Sequence, residues 1–185
     1  MHEPDHLDEI LDRALVGGLE RRHVVLVEYD ETWPQRFEEH RERIAAALGP
    51  AARRIEHVGS TAVPGLAAKP IVDVLVTVDD VEAEKTYRPA LEAAGYALRV
   101  REPGHRMFRT EPRDVHVHVW PAGSEGARRD LLFRDRLRSD AADRALYERT
   151  KRALADRVWK DVNYYAEAKG PVIEEILGRA QAREM

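Results

Sequence analysis

The chain contains no cysteine. That absence excludes both a disulfide framework and a thiolate metal site. No apolar run approaches the roughly 20 residues needed to cross a bilayer, which argues against a membrane partner. Met1 to Leu11 is acidic and lacks the basic-then-apolar pattern of a leader, so a cytoplasmic location is expected. There is no Gly-x-x-x-x-Gly-Lys-Ser/Thr, which excludes a Walker phosphate loop. A Gly-x-Ser-x-Gly elbow that would expose a nucleophilic serine is missing too. No internal repeat, low-complexity tract or linker interrupts the chain.

What remains suits one domain: 185 residues, 43% hydrophobic, are enough to bury a sizeable core. A net charge of −4 argues against a nucleic-acid-coating surface. Charge is uneven, however, with eleven Lys/Arg against six Asp/Glu between Arg128 and Lys160. Such a run is either the solvated face of helices or a surface that meets polyanions.

The most informative stretch is Ile55 to Val78. It reads as a short apolar strand, a Gly59-Ser60 turn, a loop punctuated by Pro64, Gly65 and Pro70, and a strongly β-prone run with Asp73 inside it. A lone carboxylate among Ile, Val and Leu is costly to bury without a partner. Alternation places Val72, Val74 and Val76 on one face, and Ile71, Asp73 and Leu75 on the other. The valine face packs on helices, and the Asp73 face looks towards Ser60 and Lys69. Glycine at 59 permits close backbone approach to a ligand. With the Ser60 hydroxyl, the Lys69 cation and Asp73, these residues suit phosphate and a metal.

Around this stretch the periodicity predicts an α+β domain. A helix is expected over His6 to Leu19, a short strand over Val24 to Val27, and a helix from Trp33 to Leu48. Thr32 and Gln35 suit a capping box at the start of that helix, and Gly49-Pro50 ends it. A helix over Val81 to Ala94 precedes strands at Tyr96 to Arg101, Arg106 to Thr110 and Val115 to Trp120, which form an antiparallel meander. Helices follow at Ala127 to Arg138, Ala141 to Val158 and Val162 to Lys169. Gly170-Pro171 breaks or kinks the chain before a last helix, Val172 to Ala180. Residues 1–22 read as a helical extension that packs on the domain or on another subunit, making a homo-oligomer one option. Residues 23–185 form the domain itself.

Further candidates lie beyond Asp73. His116 and His118 alternate with valines and project from one strand face, so they join Asp73 if that face is shared. His105-Arg106 sits at a meander turn, where it either reaches a ligand or, the favoured reading, faces solvent. Arg134 and Arg138 stand one helical turn apart and can fork onto phosphate oxygens. The direction of Glu56 stays open. His57, three positions before Ser60, is poorly placed in sequence to be read as its base and is instead expected to orient the turn.

Several of these segments together resemble the GrpB-like family, a group with the nucleotidyltransferase fold seen in polymerase β. The match runs through Tyr29-Asp30, Trp33-Pro34, His57 to Asp73, His116-Val117-His118 and Phe133 to Arg138. It continues with Tyr147, Lys151, Tyr165 and Lys169. The resemblance implies a mixed, largely antiparallel sheet of nucleotidyltransferase type, backed and closed by helices. It implies Gly59, Ser60, Lys69, Arg134, Lys151 and Lys169 as nucleotide- or phosphate-binding residues. Asp73, His116 and His118 become metal ligands, with Asp73 and His118 in the catalytic role.

One departure matters. The superfamily pattern has a second carboxylate two residues after the first, and here that position holds Leu75. Two-metal nucleotidyl transfer relies on carboxylates around Mg²⁺. One aspartate with two histidines suits Mn²⁺, Zn²⁺ or another transition ion better than a Mg²⁺ pair. Two functions therefore stand side by side. One is metal-assisted transfer of a nucleotide from a nucleoside triphosphate to a small acceptor. The other is a non-catalytic nucleotide- or phosphate-binding accessory module with a degenerate metal site. An oligomeric scaffold using the N-terminal helix is a third.

Overall fold

A computed structural model describes residues 6–19 and 23–182. Its centre is a five-stranded sheet: β1 (Arg54–Val58), β2 (Val72–Val78), β3 (Ala97–Glu102), β4 (His105–Arg109) and β5 (Val115–Pro121), in the order β1-β2-β5-β4-β3. Only the β2–β5 pair is parallel; β1–β2, β3–β4 and β4–β5 are antiparallel. This is a mixed, largely antiparallel sheet in an α+β domain, as the periodicity and the resemblance imply. The β3-β4-β5 meander turns back beside β2 because two short turns, at Pro103-Gly104 and at Glu111 to Asp114, reverse the chain.

The valine alternation decides which face is which. Val72, Val74 and Val76 of β2, with Val115, Val117 and Val119 of β5, are essentially fully buried. They pack against α2 (Trp33–Leu48) and α3 (Arg88–Ala93) through Trp33, Phe37, Ile44 and Leu91. Each such side chain contributes about 1.5–3 kcal/mol when fully removed from water. Trp33 is at 0% exposure and meets Tyr29 edge-on at 5.3 Å, which makes it a core anchor.

The opposite face is closed by α4 (Glu125–Ser139), α5 (Ala141–Ala155), α6 (Val162–Ala168) and α7 (Gly170–Gln181). A second apolar cluster, built on Val63, Leu66, Leu137, Tyr147 and Ile176, joins these helices to the loop after β1. No helix among the described residues is long and apolar enough to cross a membrane.

Several local expectations are corrected. The capping box at Thr32 does not form: Thr32 is itself in a helical conformation, and its hydroxyl and amide donate to Asp30 Oδ1 at 2.7 and 2.8 Å. The expected strand over Val24 to Val27 shrinks to one bridge between Val27 and Ala68. The helix over Val81 to Ala94 begins only at Arg88, because Pro89 has no N–H and its ring rejects the preceding turn; a 3₁₀ turn at Glu84–Thr86 stands in front. The first helix, α1, covers only His6–Ala14, and Leu15 then bridges Val100 at the edge of the sheet. The helix after Asp140 ends at Ala155, leaving Val158 outside it.

Candidate active site

Register, rather than proximity in sequence, assembles the site. Val58, Asp73, His116 and Arg109 lie side by side across four strands, and Glu56, Leu75, His118 and Met107 form the neighbouring row. Directly paired residues share a face, so Asp73 and both histidines point the same way. Asp73 Oδ1 is 3.3 Å from His118 Nε2 and 3.5 Å from His116 Nδ1. One ligand atom from each of the three lies within 4.8 Å of the others. Burial opposes ionisation of Asp73, but hydrogen bonds from His116 and His118 outweigh it and hold its carboxyl well below the usual range. Burial also opposes charge on His118, and Asp73 reverses that, raising its pKa.

Asp73 is seated by Gly59. That glycine has φ +71°, and a Cβ there would come 2.4 Å from Asp73 Oδ2. Only a residue without a side chain lets the turn close over the carboxylate. His57, on the opposite face, stacks on Phe37 at 4.8 Å and shares a hydrogen bond with Thr61 Oγ1 at 3.0 Å. Burial lowers its pKa to about 4, partly offset by Asp73, so it is neutral. It orients the turn and lies away from the Asp73 cluster.

Three lysines face the same cavity of about 550 Å³ as Ser60, Asp73, His116 and His118. They come from separate parts of the chain: Lys69 from the loop before β2, Lys151 from α5, and Lys169 from the junction of α6 and α7. Lys151 is 2% exposed; it donates to Ser60 Oγ at 3.1 Å and to the Ala67 carbonyl. Its ammonium sits 4.8 Å from the Tyr147 ring centroid, while Lys69 and Lys169 flank Tyr165 at 5.5 and 5.0 Å. Burial first, and neighbouring lysines second, lower Lys151 to about 7 and Lys69 to about 8; Asp73 partly opposes the shift on Lys69. Lys169 is lowered by burial, with Asp73 opposing. The Tyr165 hydroxyl is buried and has no hydrogen-bond partner among the described residues.

The structure does not bring Arg134 to this cavity. Its guanidinium is buried between Glu56 (2.8 Å), Asp135 (2.8 Å) and the His57 carbonyl (3.0 Å). Arg138 donates to the Ala62 carbonyl at 2.8 Å. Together they hold the backbone of the Gly59-Ser60 turn from behind. Glu56 is engaged by Arg54 and Arg134, which settles its direction. Leu75 is fully buried against Val58 and Ala127, so helix α4 covers the position where the superfamily pattern has its second carboxylate.

His105 is the main residue that sequence reasoning missed. Instead of facing solvent it is 9% exposed, and its neighbour Arg106 is 4% exposed among Glu82 and Glu84. His105 Nε2 lies 3.2 Å from His118 Nδ1, and its Nδ1 lies 3.1 Å from Glu102 Oε2. The ring stacks on Trp120 at 4.2 Å, and Trp120 Nε1 donates to Asp130 Oδ2 at 3.1 Å. Burial lowers the His105 pKa and raises that of Asp130. A Glu102–His105–His118–Asp73 chain therefore fixes the orientation of one candidate ligand. Counting parity along the β4–β5 hairpin would have placed His105 beside Trp120 on the Asp73 face.

The comparisons with known proteins agree with this architecture. The chain is 55% identical over 168 residues to a UPF0157 protein of Streptomyces coelicolor, covering 91% of this chain and 90% of that one. The crystal structure of the conserved protein GrpB from Enterococcus faecalis superposes with a TM-score of 0.75 at 31% identity, covering 86% of this chain and 99% of that one. The GLD-2/RNP-8 complex structure shares the fold alone, with a TM-score of 0.52 at 15% identity over 80% of this chain and 58% of that one. The family model described as GrpB protein matches residues 23–179, and the chain belongs to the GrpB family.

Proposed function

We propose that this protein transfers a nucleotide from a nucleoside triphosphate to a small acceptor with the help of a divalent metal. The observation that carries the reading is the meeting, in one cavity, of three lysines, buried Lys151 and half-buried Lys69 and Lys169, with the Asp73-His116-His118 cluster. Crowded lysines with depressed pKa values are costly without an anion, and a polyphosphate supplies several negative charges at once. Gly59 and Ser60 fit the β and γ phosphates, through backbone amides and the serine hydroxyl. Lys69, Lys151 and Lys169 offset charge that grows on the departing pyrophosphate.

The donor set fits one ion. A carboxylate and two imidazoles within 4.8 Å suit Mn²⁺, Zn²⁺ or a similar metal. Asp73, His116 and His118 would hold it, and when bound it supplies Lewis-acid stabilisation of phosphate oxygens. The chain's own contribution is to align the triphosphate against the turn, fix His118 through His105, and neutralise charge. Arg134 serves this reading by holding the turn rather than by touching phosphate.

Leu75 favours a second reading. With that position buried under α4, a two-metal site of the superfamily type cannot be built, and a binding module that keeps the phosphate cavity is the alternative. Incubation of labelled triphosphates with Mn²⁺, the protein and a metabolite extract separates the two. Pyrophosphate release that Asp73→Ala abolishes supports transfer. Saturable triphosphate binding without release from any extract fraction supports the module.

A further inference from the structure

A second cavity, of about 340 Å³, opens beside the first and shares Lys69, Val100, Met107 and His116 with it. Its chemistry differs. Val25, Ile71, Val100, Met107 and Val162 give it an apolar body. Leu15 adds a wall from the N-terminal segment, which precedes the region matched by the family model. That segment is fastened in three ways. Leu15 bridges Val100, Arg99 donates to the Val16 and Gly18 carbonyls, and Asp8 pairs with Lys160 and Tyr164.

The polar groups of the second cavity are mainly cationic. Arg109 stands directly across from His116 in the β4–β5 register, next to the candidate metal cluster. Arg113 reaches the rim from the turn before β5, with φ +62°, a conformation that side-chain-bearing residues rarely adopt. The one carboxylate in the lining, Asp114, is held by Arg36 at 2.7 Å and by Thr110. Arg109, which has an interaction of its own, lines this cavity, and a guanidinium offers five donors in a planar fork that matches a carboxylate.

We infer that this cavity takes the acceptor, and that the acceptor is a small organic acid with an apolar body, reacting through its carboxylate. The inference rests on the nucleotidyl-transfer reading above. Arg109 holds the carboxylate beside His116, and the apolar body lies against Val100, Met107 and Leu15. One carboxylate oxygen bonds to the α-phosphorus of the triphosphate. The bond from that phosphorus to the bridging oxygen of the pyrophosphate breaks, and pyrophosphate leaves with the electron pair. The product is a mixed anhydride of the acid and the nucleoside monophosphate. No proton is transferred, because a carboxylic acid arrives ionised at neutral pH.

Binding of hexanoate and phenylacetate, with hexanol and hexylamine as uncharged and cationic counterparts, tests this. It is measured by melting temperature and calorimetry on the full chain, with and without Mn²⁺ and a non-hydrolysable triphosphate. The expected result is saturable binding of the acids and none of the alcohol or amine. Arg109→Gln then weakens acid binding at least about tenfold, the loss of one charge-assisted contact. Leu15→Trp blocks it by filling the cavity, and both variants keep the triphosphate response. Acid binding that persists in both variants overturns the inference, as does amine binding equal to that of the acids. So does a protein that binds triphosphate but neither acid. A protein that binds acid through Arg109 yet ignores triphosphate keeps the acid site and refutes the donor reading instead.

Discussion

Filling the lysine cavity with phosphate should draw protons from solution. In the free protein, burial and mutual repulsion lower Lys151 to about 7 and Lys69 to about 8. At pH 8 Lys151 is then about one-tenth protonated and Lys69 about half, by simple titration from those values. A bound triphosphate favours the charged form of both and returns them towards the ordinary lysine value. Uptake is therefore about 1.4 protons per triphosphate at pH 8, with a further contribution from Lys169. The triphosphate is itself fully ionised at that pH, so it does not mask the effect. Calorimetry in buffers of different ionisation enthalpy reads the number directly. Lys151→Met should lower it by about 0.9. The sign for folding follows from the same shift: unfolded lysines keep their protons to higher pH, so these groups make free-protein stability rise between pH 7 and 10.5. Zero uptake, or proton release, would refute the claim that the lysines are held partly neutral for an anion.

Three other outcomes follow from the geometry. Gly59→Ala places a methyl 2.4 Å from Asp73 Oδ2, so Mn²⁺ affinity by titration should fall at least about tenfold while the fold persists. His105→Ala removes the group that orients His118 and should weaken Mn²⁺ by about 10–100-fold, with partial rescue by His105→Gln. Gly126→Ala drives a Cβ to 2.3 Å from the Trp120 ring and should cost about 1–3 kcal/mol in urea unfolding, unlike an alanine at Gly178, which has open space.

The valine alternation of β2 and β5 made the sheet and its two faces legible, because a period of two leaves little choice about which side chains are buried together. The placement of Asp73 with His116 and His118 follows from the same period once the strands pair in parallel. Helix starts that depend on one residue were less legible: Pro89 delays α3, and the Asp30 carboxylate claims the Thr32 hydroxyl before it can cap. Long-range pairing defeated sequence reasoning at Arg134, whose partners Glu56 and the His57 carbonyl lie 78 and 77 residues away. His105 was obscured for a related reason, since a residue beside a Pro-Gly turn looks exposed until Trp120 and His118 are brought against it.

The most direct measurement of the central claim is electron–nuclear double resonance on Mn²⁺ bound to the protein with a nucleoside triphosphate. The account predicts nitrogen couplings from imidazole and phosphorus couplings from the triphosphate on the same ion, with the nitrogen couplings lost in Asp73→Ala. Phosphorus couplings without nitrogen, or nitrogen couplings indifferent to Asp73, would contradict it.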